Sequence, residues 1–176
     1  MQEPFKYLTR VNRALLLATI AMASAVASVC AQPAQAAKVL ARGAGQTIIQ
    51  GGTGQAGGFV PVITTIAFHA ERQGQGVSGD FECLAIAPAV PTGDGSGQFT
   101  VNAMYVTGQI TNVVVDGETA TLKGTATITG LGAGTNVPFT FVVRNGGPGS
   151  TAVLTASGLT FHEILLEGSF EVAGDD

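Results

Sequence analysis

The stretch QITNVVVDGETATLKGTATIT, residues 109–129, decides the class of fold. Two runs rich in apolar and β-branched residues flank Asp116-Gly117. In the second run Ala120, Leu122, Gly124, Ala126 and Ile128 fall on one side, and Thr119, Thr121, Lys123, Thr125, Thr127 and Thr129 on the other. An alternation of period two, kept up over this length, is the signature of an antiparallel strand with one face buried and one in water. An Asp-Gly pair between two such runs is a hairpin signal. It predicts a type I′ turn with Asp116 and Gly117 at the centre, because both tolerate positive φ.

Outward from this hairpin the same grammar repeats. Val62 to Arg72 reads as a strand closed by Gly74, Gly76 and Gly79, and Asp80 to Ala87 as its partner. The loop PAVPTGDGSG, residues 88–97, separates these from runs at Gln98 to Val106 and Gln109 to Val115. Phe139, Phe141 and Val143 alternate with polar or smaller neighbours. Asn145 to Gly149 is a turn, and Thr151 to Ser157 and Thr160 to Val172 follow, the last bent at Gly168. Residues 37–61 (AKVLARGAGQTIIQGGTGQAGGFVP) read as an irregular lead-in with a short strand at Gln46 to Gln50. About eight strands at this spacing predict an all-β domain, an antiparallel sandwich or small barrel, over residues 62–173. No helical period runs past three turns beyond the N-terminal segment, so nothing is available to make the crossovers of a parallel sheet. One face is threonine-rich and the other carries Phe, Leu and Ala, which points to a water-facing domain rather than a lipid-facing barrel.

The first 36 residues read as a helical secretory signal. Lys6, Arg10 and Arg13 precede the uncharged run Ala14 to Ala31, Pro33 breaks it, and Ala34-Gln35-Ala36 is a small-residue cleavage site. The expected mature chain starts at Ala37, retains no membrane-spanning segment, and is exported to the periplasm or the exterior. Three of the chain's eight basic residues and one of its twelve acids lie in the signal; five basic and eleven acidic groups remain, a net charge of −6. Such a domain repels phosphate, which excludes nucleic acid as a partner. Cleavage removes Cys30 and leaves Cys83 alone, so the fold is held by its core and not by a disulfide. Residues 174–176 form an acidic tail.

From about Phe68 onward the pattern resembles the small extracellular β-domain of secreted bacterial proteins known as the post-COAP type. The residues that carry the resemblance are Val106-Thr-Gly-Gln-Ile110, Val115-Asp-Gly-Glu-Thr-Ala120, Gly124-Thr-Ala126, Phe139-Thr-Phe-Val-Val143, the turn Gly146-Gly-Pro-Gly149 and a closing Leu-rich strand. It implies an extracellular β-fold of unassigned activity. The family turn carries acidic residues around Gly-Pro-Gly, and here Arg144-Asn145 stands in that place.

The chemical inventory is thin. His69 and Glu71 share a strand face, and His162 lies on the last strand; if the first and last strands were neighbours, the three could form a metal site with an open position, as a zinc hydrolase needs. Gly-x-Ser-x-Gly is absent, and Ser96 and Ser150 sit in turns. Cys83 shares parity with Phe81, Ala85 and Ala87 and is expected in the core, unreactive. Glu163 points away from His162's face and has no evident carboxylate partner. The inventory leans against an enzyme and implies no cofactor. The leading expectation is a non-enzymatic binding or structural module with an unidentified envelope, matrix or protein partner. The alternative is a small barrel carrying a hydrophobic ligand in a cavity walled by Phe68, Phe81, Phe99, Phe139, Phe141 and Phe170; the metal-dependent hydrolase is a third reading.

Overall fold

The computed structural model describes residues 37–51, 61–87 and 101–173, without the side chains of Val101 and Asn102. The signal segment, Phe99, Ser96, the loop at 88–97 and the acidic tail lie outside the described residues.

Every described element is a strand: β1 Lys38–Ile49, β2 Ile63–Gln73, β3 Gly76–Ala87, β4 Val101–Asp116, β5 Thr119–Gly130, β6 Gly134–Arg144, β7 Thr151–Ala156 and β8 Leu159–Val172. Each pairs antiparallel with the next, and β1 pairs with β8, so the sheet closes into an eight-stranded barrel. Closure leaves no exposed edge. It settles the choice between sandwich and barrel.

The hairpin that decided the class is β4–β5, with Asp116 opposite Thr119. Its central residues are therefore Gly117 and Glu118, and only Gly117 has positive φ, at 55°. That is the pattern of a type II′ turn, not the I′ turn expected at Asp116-Gly117. The fully positive pair occurs instead at Ser157-Gly158, φ 51° and 75°, between β7 and β8. Both turn types match the strands' right-handed twist, so the hairpin forms either way.

Two strand assignments change. From Val101 on, the two runs expected to end at Val106 and to begin at Gln109 are one continuous 16-residue strand, β4, that passes through Thr107-Gly108 without a break. The short strand expected at Gln46 to Gln50 is the end of a longer one: Lys38 to Ile49 is a full strand that supplies the closure between β2 and β8. Its inward positions include Gly43, Gly45, Thr47 and Ile49, and the first two carry no side chain by which an alternation could be recognised. The reason glycine stands at Gly43 is packing. A Cβ there would lie 2.7 Å from Phe170 Cδ1 and 2.8 Å from Phe68 Cε1. Gly108 plays the same part for Phe139, whose Cε1 would meet an added Cβ at 2.7 Å.

Inside the barrel, five phenylalanines stack into a continuous cluster. Ring centroids are 5.1 Å apart for Phe81–Phe139, 4.9 Å for Phe81–Phe141, 5.3 Å for Phe68–Phe141 and 5.7 Å for Phe68–Phe170. Such offset and edge-on pairs add to the stabilisation from buried area. Ala120, Leu122, Val143 and Ile110 surround them, all buried. The threonines and Lys123 of β5 face outward or lie near the surface, as read. Apolar residues inside and polar ones outside reverse the polarity of a lipid-facing barrel.

Candidate functional site

The ring cluster does not fill the barrel from end to end. Toward the rim where β1 ends, β2 begins, β3 ends and β4 begins, the interior holds a cavity of about 310 Å³. Ile49, Val62, Ala85, Ala103, Met104, Leu131, Leu154 and Phe161 give it an apolar wall, and Thr64, Cys83 and Glu163 are its polar groups. Its volume lies at the lower end of the range for small-molecule sites, and its apolar wall with few polar groups is their usual composition.

Glu163 is the anomaly. It lies on β8 in parity with Phe161 and Leu165, opposite Ile49 on β1 and Ala152 on β7, so its carboxyl points inward and the residue is only 1% exposed. Thr47 of β1 and Thr64 of β2 face each other across the next strand pair and are equally buried. Thr64 Oγ1 donates to Glu163 Oε2 at 2.5 Å, Thr47 Oγ1 donates to the same oxygen, and the two hydroxyls touch each other. Glu163 Oε1 has no partner among the described residues. Burial pushes the Glu163 carboxyl above its ordinary value, while the two threonine hydroxyls pull the other way without cancelling the effect. Among the described residues no cation lines the cavity.

Cys83 is buried, as its parity required. Burial, and then the charge of Glu163, push its thiol well above the ordinary range. Its sulfur is thus held as a thiol, not as a nucleophilic thiolate.

The other sequence-derived candidates fall elsewhere. His69 Nε2 lies 3.4 Å from Glu71 Oε2 on the outer face of β2. His162 is on the outer face of β8. The first strand is β1, not β2, and it stands between them. Arg42 of β1 pairs with His69, while the amide of Gln50 bonds to the carbonyl of His162. Eight residues of extended strand, roughly 26 Å, separate those two levels. Among the described residues no three His, Cys, Asp or Glu side chains gather to hold a metal. The five described phenylalanines of the expected cavity wall pack against one another, and none of them lines the cavity. The cavity exists, but aliphatic residues, Met104 and Phe161 wall it.

A wider depression of about 430 Å³ lies outside the barrel across β3, β4 and β5. It is open to water, and two of its polar groups pair, Gln109 Nε2 donating to Asp80 Oδ1 at 2.6 Å. It has no enclosed wall and no unpaired buried group.

Fold and site together define a small closed barrel with a one-ended apolar cavity and, among the described residues, a single buried acid. Comparison of the chain with protein-family models, with curated proteins and with solved structures finds no match.

Proposed function

We propose that this protein is a binding module that takes a small, mainly apolar molecule into the open half of its barrel, as a carrier or sequestering protein. The observation that carries the reading is the division of one interior into a ring-packed half and a half left with about 310 Å³ of apolar space. Eight-stranded barrels stand at the size where side chains either fill the interior or leave room for one small ligand. The acidic surface and the N-terminal segment favour an exported protein working in the periplasm or outside the cell. The resemblance to the post-COAP type favours the same setting. The polar outer face favours a barrel surrounded by water.

The test is binding of 2-ethylnaphthalene to the purified protein. One molecule per chain should bind, and it should raise the midpoint of thermal unfolding, as a ligand held only by the folded state does. Ala85→Leu, which fills the space from the cavity wall, should abolish both effects. Absence of binding, or binding indifferent to Ala85→Leu, would remove the reading.

A further inference from the structure

We propose that Glu163 is the recognition group of this cavity and that its carboxylic acid donates a hydrogen bond from Oε1 to an oxygen acceptor, of carbonyl type, on an otherwise apolar and uncharged ligand. The inference rests on the cavity reading and deepens it by naming the ligand's chemistry.

The argument starts from the two carboxyl oxygens, which are not equivalent. Oε2 accepts from both Thr47 and Thr64. Oε1, buried, accepts from nothing and donates to nothing within the described protein. In a neutral carboxylic acid the carbonyl oxygen is the better acceptor, so the oxygen that takes two hydroxyl hydrogens is the carbonyl and the proton sits on the other. Oε1 is therefore a donor with no acceptor. Buried polar groups are nearly always satisfied, and an exception in a cavity wall marks the place where something else supplies the partner. The rest of that wall supplies only apolar contact apart from Thr64 and Cys83, so the partner belongs to a guest whose other atoms are apolar.

The charged alternative is an ammonium ligand paired with the carboxylate. It would require two charges to leave water for an apolar space with no further groups to solvate them. In such places the desolvation cost offsets much of the attraction. The neutral pair avoids that cost. Cys83 is the other titratable group on the cavity wall, and burial keeps it uncharged. Nothing among the lining residues therefore supplies a positive charge that would hold Glu163 ionised.

The test uses three probes of one shape: 2-ethylnaphthalene, 2-acetylnaphthalene and 1-(2-naphthyl)ethylamine. Their dissociation constants are measured on the wild type, Glu163→Gln and Glu163→Leu. Glutamine reproduces the neutral acid, with its oxygen toward the threonines and its NH₂ toward the guest; leucine has no donor. Comparing the ratio of ketone to hydrocarbon affinity between proteins cancels the ketone's own hydration. The ratio should be kept by Glu163→Gln and should fall about tenfold or more in Glu163→Leu, the size of effect expected when a buried acceptor loses its donor. Binding of the hydrocarbon by Glu163→Leu shows that this variant is folded. An unchanged ratio in Glu163→Leu overturns the inference and leaves the cavity reading standing. An amine that binds best to the wild type and is lost in Glu163→Gln overturns it in favour of a cationic ligand. Binding of none of the three removes the cavity reading and the inference with it.

Discussion

The two halves of the barrel interior are built by the same eight strands and obey opposite rules. In the half that holds Phe68, Phe81, Phe139, Phe141 and Phe170, glycine faces the rings at Gly43 and Gly108, and large meets small until no room is left. In the other half aliphatic residues, alanine, Met104 and Phe161 surround the polar Thr64, Cys83 and Glu163, and together they leave space unfilled. The filled half accounts for stability. The open half keeps a buried carboxyl with one unsatisfied oxygen, which destabilises a fold unless it has a use. The comparison teaches that a barrel of this size can be ring-packed at one end and left with space at the other, according to which inward side chains are large.

The sharpest way to break the comparison is Phe141→Ala. The ring is fully buried and stacks on both Phe68 and Phe81, so its loss should cost about 3–5 kcal/mol, read by denaturant unfolding. A cost under about 1 kcal/mol would mean that the filled half is not close-packed. Next in size is Gly108→Ala. The added methyl would meet Phe139 at 2.7 Å, and overpacking of this kind costs about 1–3 kcal/mol. Retention of full stability would show that the ring has room to move.

The third prediction concerns pH. Because burial raises the Glu163 carboxyl above its ordinary value of 4.5, the folded chain keeps this proton at pH values where the unfolded chain has lost it. Its contribution is complete below 4.5 and is lost as pH rises through the folded value, with a slope of at most about 1.4 kcal/mol per pH unit between the two. Glu163→Gln has no such proton and should flatten that part of the stability profile. The same slope in wild type and variant would place the titration elsewhere. The smallest effect is expected from Ala85→Leu in the open half. Where Gly108→Ala strains the rings, this larger addition enters free space and should change stability by less than about 1 kcal/mol while abolishing ligand binding. A loss as large as that of Gly108→Ala would mean that the cavity wall is as tightly packed as the ring cluster.

Much of the fold was legible because β5 and the strands after it alternate cleanly, and side-chain parity is what a strand exposes to a reader. Only the end of β1, from Gln46, was legible, since Gly43 and Gly45 occupy inward positions and carry no hydropathy; Gly43 makes room for the rings of Phe68 and Phe170, and Gly45 for Leu165 and the backbone of Glu167. The break expected at Thr107-Gly108 failed for the same cause: a glycine that punctuates a loop and one that admits a ring look alike in a sequence. Parity did place Cys83 in the core. The same parity puts Glu163 on the apolar face of β8 beside Phe161 and Leu165, which was the available signal for the site. Its partners Thr47 and Thr64 were beyond reach, because their meeting depends on the closure of β1 between β2 and β8. The proposed meeting of His69, Glu71 and His162 failed on that closure too.

The most direct test of the account is a crystal structure of the protein under xenon pressure. Dry apolar cavities take up xenon and packed interiors do not. The account predicts xenon among Ile49, Met104 and Leu154, beside the Glu163 carboxyl, and none between the rings of Phe68, Phe81 and Phe141. Xenon absent from the first place, or bound among the rings, would contradict the division of the barrel into a filled half and an open one.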